Sequence, residues 1–158
     1  MKKKVLSILV KNSAGVLSRV SGLFSRRGYN ITSLSVGETE NPEYSRMIVV
    51  VYGDDRILEQ IEKQLYKLIE VESVTELLPD YSVCRELMLV TVSVTPEKRQ
   101  DIISIASIFR ANIVDVKPES MMIELTGDQT KIEAFLNLME DHGIIEISRT
   151  GLTGLKRG

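Results

Sequence analysis

Residues 7–30 read SILVKNSAGVLSRVSGLFSRRGYN, and the fold is decided by how this stretch divides. Val5 to Val10 is a short strand rich in branched residues. Val16, Leu17, Val20, Leu23 and Phe24 then recur at helical spacing, with Asn12 or Ser13 as cap and Gly28 as the C-terminal stop. Asn30 opens a second strand. The loop between strand and helix, Lys11-Asn12-Ser13-Ala14-Gly15, sets an amide, a hydroxyl and a glycine where backbone N–H groups are unpaired and the helix dipole favours an anion. Asn30 brings back a second amide. Such a loop suits a small zwitterion such as a free amino acid. It holds no nucleophile and no base, so it points to sensing rather than conversion. A plainer reading stands beside this one: Asn12 is a cap, and Gly15 is a loop residue.

Outward from this stretch, Ile31 to Val36 and Met47 to Tyr52 read as strands around the turn-rich loop 38–43. Gly53-Asp54-Asp55 opens a helix with Ile57, Leu58, Ile61, Leu65 and Leu68 on one face. Val71 to Leu77 is a fourth strand. After Pro79-Asp80 the order repeats. Glu86 to Val94 is a strand, and Thr95-Pro96-Glu97 a helix start with Thr95 as cap and Pro96 at the first helical position. Ile102, Ile105, Ala106 and Phe109 form the buried face. Asn112 to Val116 and Met121 to Leu125 flank the turn at Pro118. Gly127-Asp128 opens a helix carrying Ile132, Phe135, Leu136 and Met139, and Ile144 to Ile147 closes the pattern. The fold class is α+β: two ferredoxin-like βαββαβ domains in tandem, at residues 1–79 and 80–158. A unit of about 75 residues has a marginal core of its own, so burial against a second domain or chain is expected.

Composition narrows the function. The 158 residues carry a formal net charge of -2 and are 5% aromatic, which argues against nucleic-acid binding and against the exposed aromatics of an RNA-binding sheet. Lys2-Lys3-Lys4 reads as a solvated tail. No apolar run reaches the roughly 20 residues that span a bilayer, and Lys11 comes too early for a secretory core. The single cysteine, Cys84, fits a reducing compartment. A cytoplasmic protein with no membrane segment is expected. His142 has no second ligand at metal spacing, and Cys84 has no histidine partner. Arg26-Arg27 suits a solvated helix end as well as a phosphate, and Asp54-Asp55 and Asp128 suit helix starts. The final run, residues 149–158, has no regular pattern and reads as a frayed end or a docking segment.

LVKNSAGVLSRVSGLFSRRGYNI closely resembles the opening of the small, regulatory subunit of acetohydroxyacid synthase (acetolactate synthase). The similarity continues through Ser45-Arg46-Met47, LEQIEKQLYKLIEV at 58–71, Arg85 to Leu89, IFRANIVDV at 108–116 and the ending RTGLTGLKRG. The resemblance implies that the first domain is an ACT domain binding a branched-chain amino acid, usually valine, in a homodimer whose ligands sit between two chains. The effector-contacting positions fall on Asn12, Gly15 and Asn30, with Asn30 supplied across the interface. Ser13, Ala14 and Val16 are neighbours, and positions that influence feedback sensitivity correspond to Ser35, Gly37 and Gln60.

The resemblance also implies a non-catalytic chain. Its partner, the catalytic large subunit, would hold thiamine diphosphate, a divalent metal (Mg) and FAD, with no cofactor in this chain. The small subunit would activate that enzyme and confer feedback inhibition by valine. The main rival is a stand-alone amino-acid sensor acting on a different enzyme. An acylphosphatase-type hydrolase finds only a faint echo in Arg26 and Asn30.

Overall fold

The computed structural model describes residues 2–158. They form two compact units: one runs to residue 84 and includes 152–158, and the other spans 85–151. In the first, β1 (Lys2–Lys11), α1 (Val16–Arg26), β2 (Ile31–Glu38), β3 (Tyr44–Gly53), α2 (Asp55–Leu65) and β4 (Val71–Glu76) follow in order. The strands make one antiparallel sheet, β2-β3-β1-β4. Alternation along β1 sends Leu6, Ile8 and Val10 to one face, beside Met47, Val49 and Val51 of β3. The helices cover that face with Val16, Val20, Leu23 and Phe24 from α1 and Leu58, Ile61 and Leu65 from α2.

The opposite face of this sheet is covered too. Val5, Ile48 and Val50 pack with Leu77, Leu152 and the partly buried Cys84. The run after Gly151 is therefore neither frayed nor free. Thr153–Lys156 forms β9, which pairs with β5 (Ser82–Ser93). Gly154 has no room for a side chain there, since a Cβ would lie 2.7 Å from Cys84 Sγ and 2.9 Å from the Val83 carbonyl oxygen. The start of the chain departs from expectation in the same direction. β1 begins at Lys2, and Lys4 is buried on the core side with its ammonium 2.6 Å from Asp55 and 3.5 Å from Glu76. Two carboxylates and register with Val51 turn part of the lysine run into strand.

The second unit repeats the plan with β5, α3 (Arg99–Ile108), β6 (Asn112–Lys117), β7 (Ser120–Gly127), α4 (Gln129–Glu140) and β8 (Ile144–Arg149). Its strand order is β6-β7-β5-β8, antiparallel throughout. The α+β reading as two ferredoxin-like βαββαβ units thus holds. Met88, Val90 and Val92 pack with Met121, Ile123 and Leu125 under Ile102, Ile132, Phe135 and Met139. Phe109 meets Phe135 edge to face, with ring centroids 5.3 Å apart. The helix expected from Thr95-Pro96 starts regularly only at Arg99, because residues 96–98 form a turn. The Arg99 N–H nonetheless donates to the Thr95 carbonyl at 3.0 Å, so the chain is already winding.

Candidate functional site

The loop between β1 and α1 departs from the usual helix start. The N-cap of α1 is Gly15 at φ +83°, and no side chain caps the helix. In contrast, Asp54 accepts from the Ile57 N–H and Asp128 from the Lys131 N–H, each at 2.9 Å, at the starts of α2 and α4. Neither Asn12 nor Ser13 serves as the expected cap. The Asn12 amide turns away from the helix, donating to Glu38 Oε1 at 3.3 Å and to the Pro42 carbonyl at 3.2 Å. Its backbone N–H donates to the Glu43 carbonyl at 2.7 Å. No side chain caps the first turn of α1, where the Val16 N–H donates to the Ser13 carbonyl at 3.4 Å, and the positive end of the dipole there favours an acceptor from outside.

Gly15 is needed for the turn itself. Its φ lies where an L side chain is strained, and a Cβ would sit 3.2 Å from an Arg19 guanidinium nitrogen. That guanidinium is held by Glu70 at 2.5 Å. Ser13 and Ala14 are exposed beside Asn12, whereas the Val16 side chain is buried and anchors the helix start in the core. Gly37 lies on β2 opposite Arg46, next to Glu38, with open space where a Cβ would be.

The remaining candidates lie elsewhere. Asn30 is exposed just before β2. The 11 residues of α1 separate it from Gly15, a distance along the axis of about 16 Å at roughly 1.5 Å per residue. Gln60 belongs to Asn30's end of the unit, because its Oε1 accepts from the Tyr29 hydroxyl at 3.1 Å. Ser35 faces the C-terminal segment and donates to the Leu152 carbonyl at 2.8 Å. The structure therefore brings Asn12, Ser13, Ala14, Gly15 and the main chain of Val16 together, with Gly37 alongside. It does not bring Asn30, Ser35 or Gln60 to them within one chain.

Glu38 and the Pro42 carbonyl are neighbours that sequence reasoning did not name, although the loop after Gly37 read as either a second wall of the site or merely a strand end. The turn-rich composition of 38–43 marked a loop, but nothing in it tells which strand end it meets. Among the described residues no three His, Cys, Asp or Glu side chains assemble a metal site, and no helix is long and apolar enough to cross a membrane.

Two family descriptions match this chain. Residues 6–73 match the ACT domain of acetohydroxyacid synthase small subunits, and residues 85–158 match the small subunit of acetolactate synthase. The chain is 52% identical over 156 residues to an Archaeoglobus fulgidus protein named "Probable acetolactate synthase small subunit", covering 99% of this chain and 98% of that one. It is 48% identical over 157 residues to the Mycobacterium bovis acetolactate synthase small subunit, covering 99% and 94%. The crystal structure of the Thermotoga maritima acetolactate synthase small subunit superposes with a TM-score of 0.92 at 45% identity, covering 100% of this chain and 99% of that one.

Proposed function

This chain belongs to the acetolactate synthase small-subunit family, and from that premise we propose that its ACT domain senses a branched-chain amino acid, valine foremost, for a separate catalytic large subunit. In this reading residues 1–79 form the sensing half and residues 80–158 the half particular to the small subunit, with 152–158 returning to the first. The large subunit carries the chemistry, with thiamine diphosphate, a divalent metal and FAD as its own groups. This chain contributes regulation: it supports the active state of its partner and, with valine bound, lowers its turnover. We place both subunits in the cytoplasm, in branched-chain amino acid biosynthesis.

The observation that carries this reading is the separation of Asn30 from Asn12 and Gly15 along α1. Asn30 cannot join Asn12 and Gly15 in one chain, but the Asn30 of a second chain can. β2 is an edge strand of its sheet, with β4 at the other edge, and its eight residues span about 27 Å at roughly 3.4 Å per residue. Antiparallel pairing of β2 with β2 of a second copy reverses the ends. The start of one strand, with Asn30, then faces the end of the other, where Glu38 touches Asn12. A homodimer paired this way holds two sites related by a two-fold axis, each built from both chains.

Valine offers each part of such a site a partner. Its carboxylate suits the uncapped N–H groups of α1, and its ammonium suits the amide oxygens. Its isopropyl group gains from leaving water. Feedback then needs only that valine bind one state of the complex better than the other. A 5- to 150-fold difference corresponds to roughly 1–3 kcal/mol of coupling.

Calorimetric titration with L-valine tests the reading, with Asn30→Ala alongside. Saturable binding in the native protein that is lost in the variant is the expected result. No heat with valine, leucine or isoleucine would remove the sensing role.

A further inference from the structure

We infer that Glu38 is a positioning residue for the ligand's ammonium group, and that through Asn12 it makes the site choose amino acids over oxo acids of the same carbon skeleton. The inference rests on the effector reading above and adds to it a residue and a selectivity. A side-chain amide has two N–H donors and one acceptor oxygen. Both Asn12 donors are engaged, one by the Glu38 carboxylate at 3.3 Å and one by the Pro42 carbonyl at 3.2 Å. The group left for a ligand is Oδ1, an acceptor. With its amide the other way round, Asn12 would set its oxygen against a carboxylate and a carbonyl, so those two acceptors dictate the orientation.

The loop that carries the two acceptors is itself braced. Thr39 Oγ1 accepts from the Asn41 N–H at 3.2 Å and donates to the Asn41 carbonyl at 2.8 Å. Asn41 Oδ1 accepts from the Glu43 N–H at 3.1 Å, and the Thr39 N–H donates to the Tyr44 carbonyl at 3.1 Å. The Glu43 carbonyl in turn receives the Asn12 backbone N–H at 2.7 Å. The tip between β2 and β3 is thus a braced frame that grips Asn12 from one side.

The result is a dipolar site. The uncapped end of α1 favours a carboxylate. A few residues away, an amide oxygen backed by a carboxylate favours a cation. A free amino acid satisfies both. A 2-oxo acid places a carbonyl oxygen where the ammonium would be, so two acceptors face each other and both lose water without gaining a partner. A hydrogen bond to a charged group corresponds to roughly 10- to 150-fold in affinity, and that is the preference expected of the native site.

The test is titration of native protein, Glu38→Ala and Glu38→Gln with L-valine and with 3-methyl-2-oxobutanoate. The oxo acid is read by displacement of valine, so weak binding still registers. Thermal unfolding confirms that the variants are folded, which the exposed position of Glu38 favours. Native protein should prefer valine at least tenfold. Glu38→Ala should weaken valine while leaving the oxo acid unchanged, shrinking the preference to within about threefold. Glu38→Gln keeps an acceptor for Asn12 and should retain an intermediate preference. If Glu38→Ala weakens both ligands equally, or neither, Glu38 has no positioning role and the effector reading survives. If the native protein binds no amino acid, both fall together.

Discussion

The Ser35 hydroxyl donates to the Leu152 carbonyl at 2.8 Å, and the Leu152 N–H donates to the Ser33 hydroxyl at 2.9 Å. Two side chains on one strand thus clamp one residue of the C-terminal segment, whose leucine is buried with Val5, Ile48, Val50 and Leu77. The strand is β2, which follows directly on Asn30 and ends at Glu38. Leu152→Ala should destabilise the protein by about 2–4 kcal/mol through lost burial and the cavity left behind. Ser35→Ala should cost about 0.5–1.5 kcal/mol, the usual net worth of one hydrogen bond. Urea unfolding measures both, and equal small effects would show that the segment is only loosely laid on the sheet.

Gly15→Ala should cost about 1–2 kcal/mol from the left-handed backbone alone. Its larger effect should be on valine affinity, because relief of the strain re-aims the first N–H groups of α1. Titration and urea unfolding on one sample separate the two. A full loss of stability with unchanged affinity would place the ligand elsewhere.

The Lys4 cluster sets limbs of the stability profile. Lys4, first through its hydrogen bond and then through its charge, holds the Asp55 carboxyl below the usual carboxylate range. The same hydrogen bond, aided by the Glu76 charge and opposed by desolvation, raises the Lys4 ammonium above 10.5. A lowered carboxyl contributes stability that is present above its unfolded value of 3.8 and is lost as pH falls through the folded one. A raised lysine contributes stability that is present below 10.5 and is lost as pH climbs through its folded value. Lys4→Met should therefore flatten the change in stability below about pH 4 and above about pH 10.5. Unfolding midpoints measured across the pH range check this, and an unchanged acid limb would show that the Asp55 pair does not persist in solution.

Glu86 is buried in the second unit and is met by Arg149 at 2.5 Å (Nε) and 3.1 Å (Nη2). That pairing is also the main cause raising the Arg149 guanidinium. Arg149→Ala strands the buried carboxylate and should cost roughly 1–3 kcal/mol, a figure held down by the partial exposure of Arg149. Glu86→Gln, which keeps an acceptor, should cost less. The reverse order in urea unfolding would contradict the pairing.

Most of the fold was legible because periodicity reports it directly. Val20, Leu23 and Phe24, or Leu58, Ile61 and Leu65, could lie on one face only in a helix. The failures share a cause, since each turns on a partner distant in sequence. Lys4 reads as tail until Asp55 and Glu76 stand beside it. The run at 152–156 has no period of its own and becomes strand only against β5. Asn12 reads as a cap by local chemistry, and the distant Glu38 and Pro42 override that choice. The contiguous loop Asn12 to Gly15 was readable as a candidate site, whereas the separation of Asn30 by the full length of α1 emerged only from the fold.

Because Asn12 and Asn30 are taken to reach one ligand from different chains, mixing two inactive variants tests the account most directly. Asn12→Ala and Asn30→Ala should each fail to bind valine. Dissociated, mixed and reassociated, about half the dimers carry one chain of each kind, and each of those has one site with both amides intact. Titration should then recover about one site in four at native affinity. No recovery after verified subunit exchange would contradict a site shared between two chains.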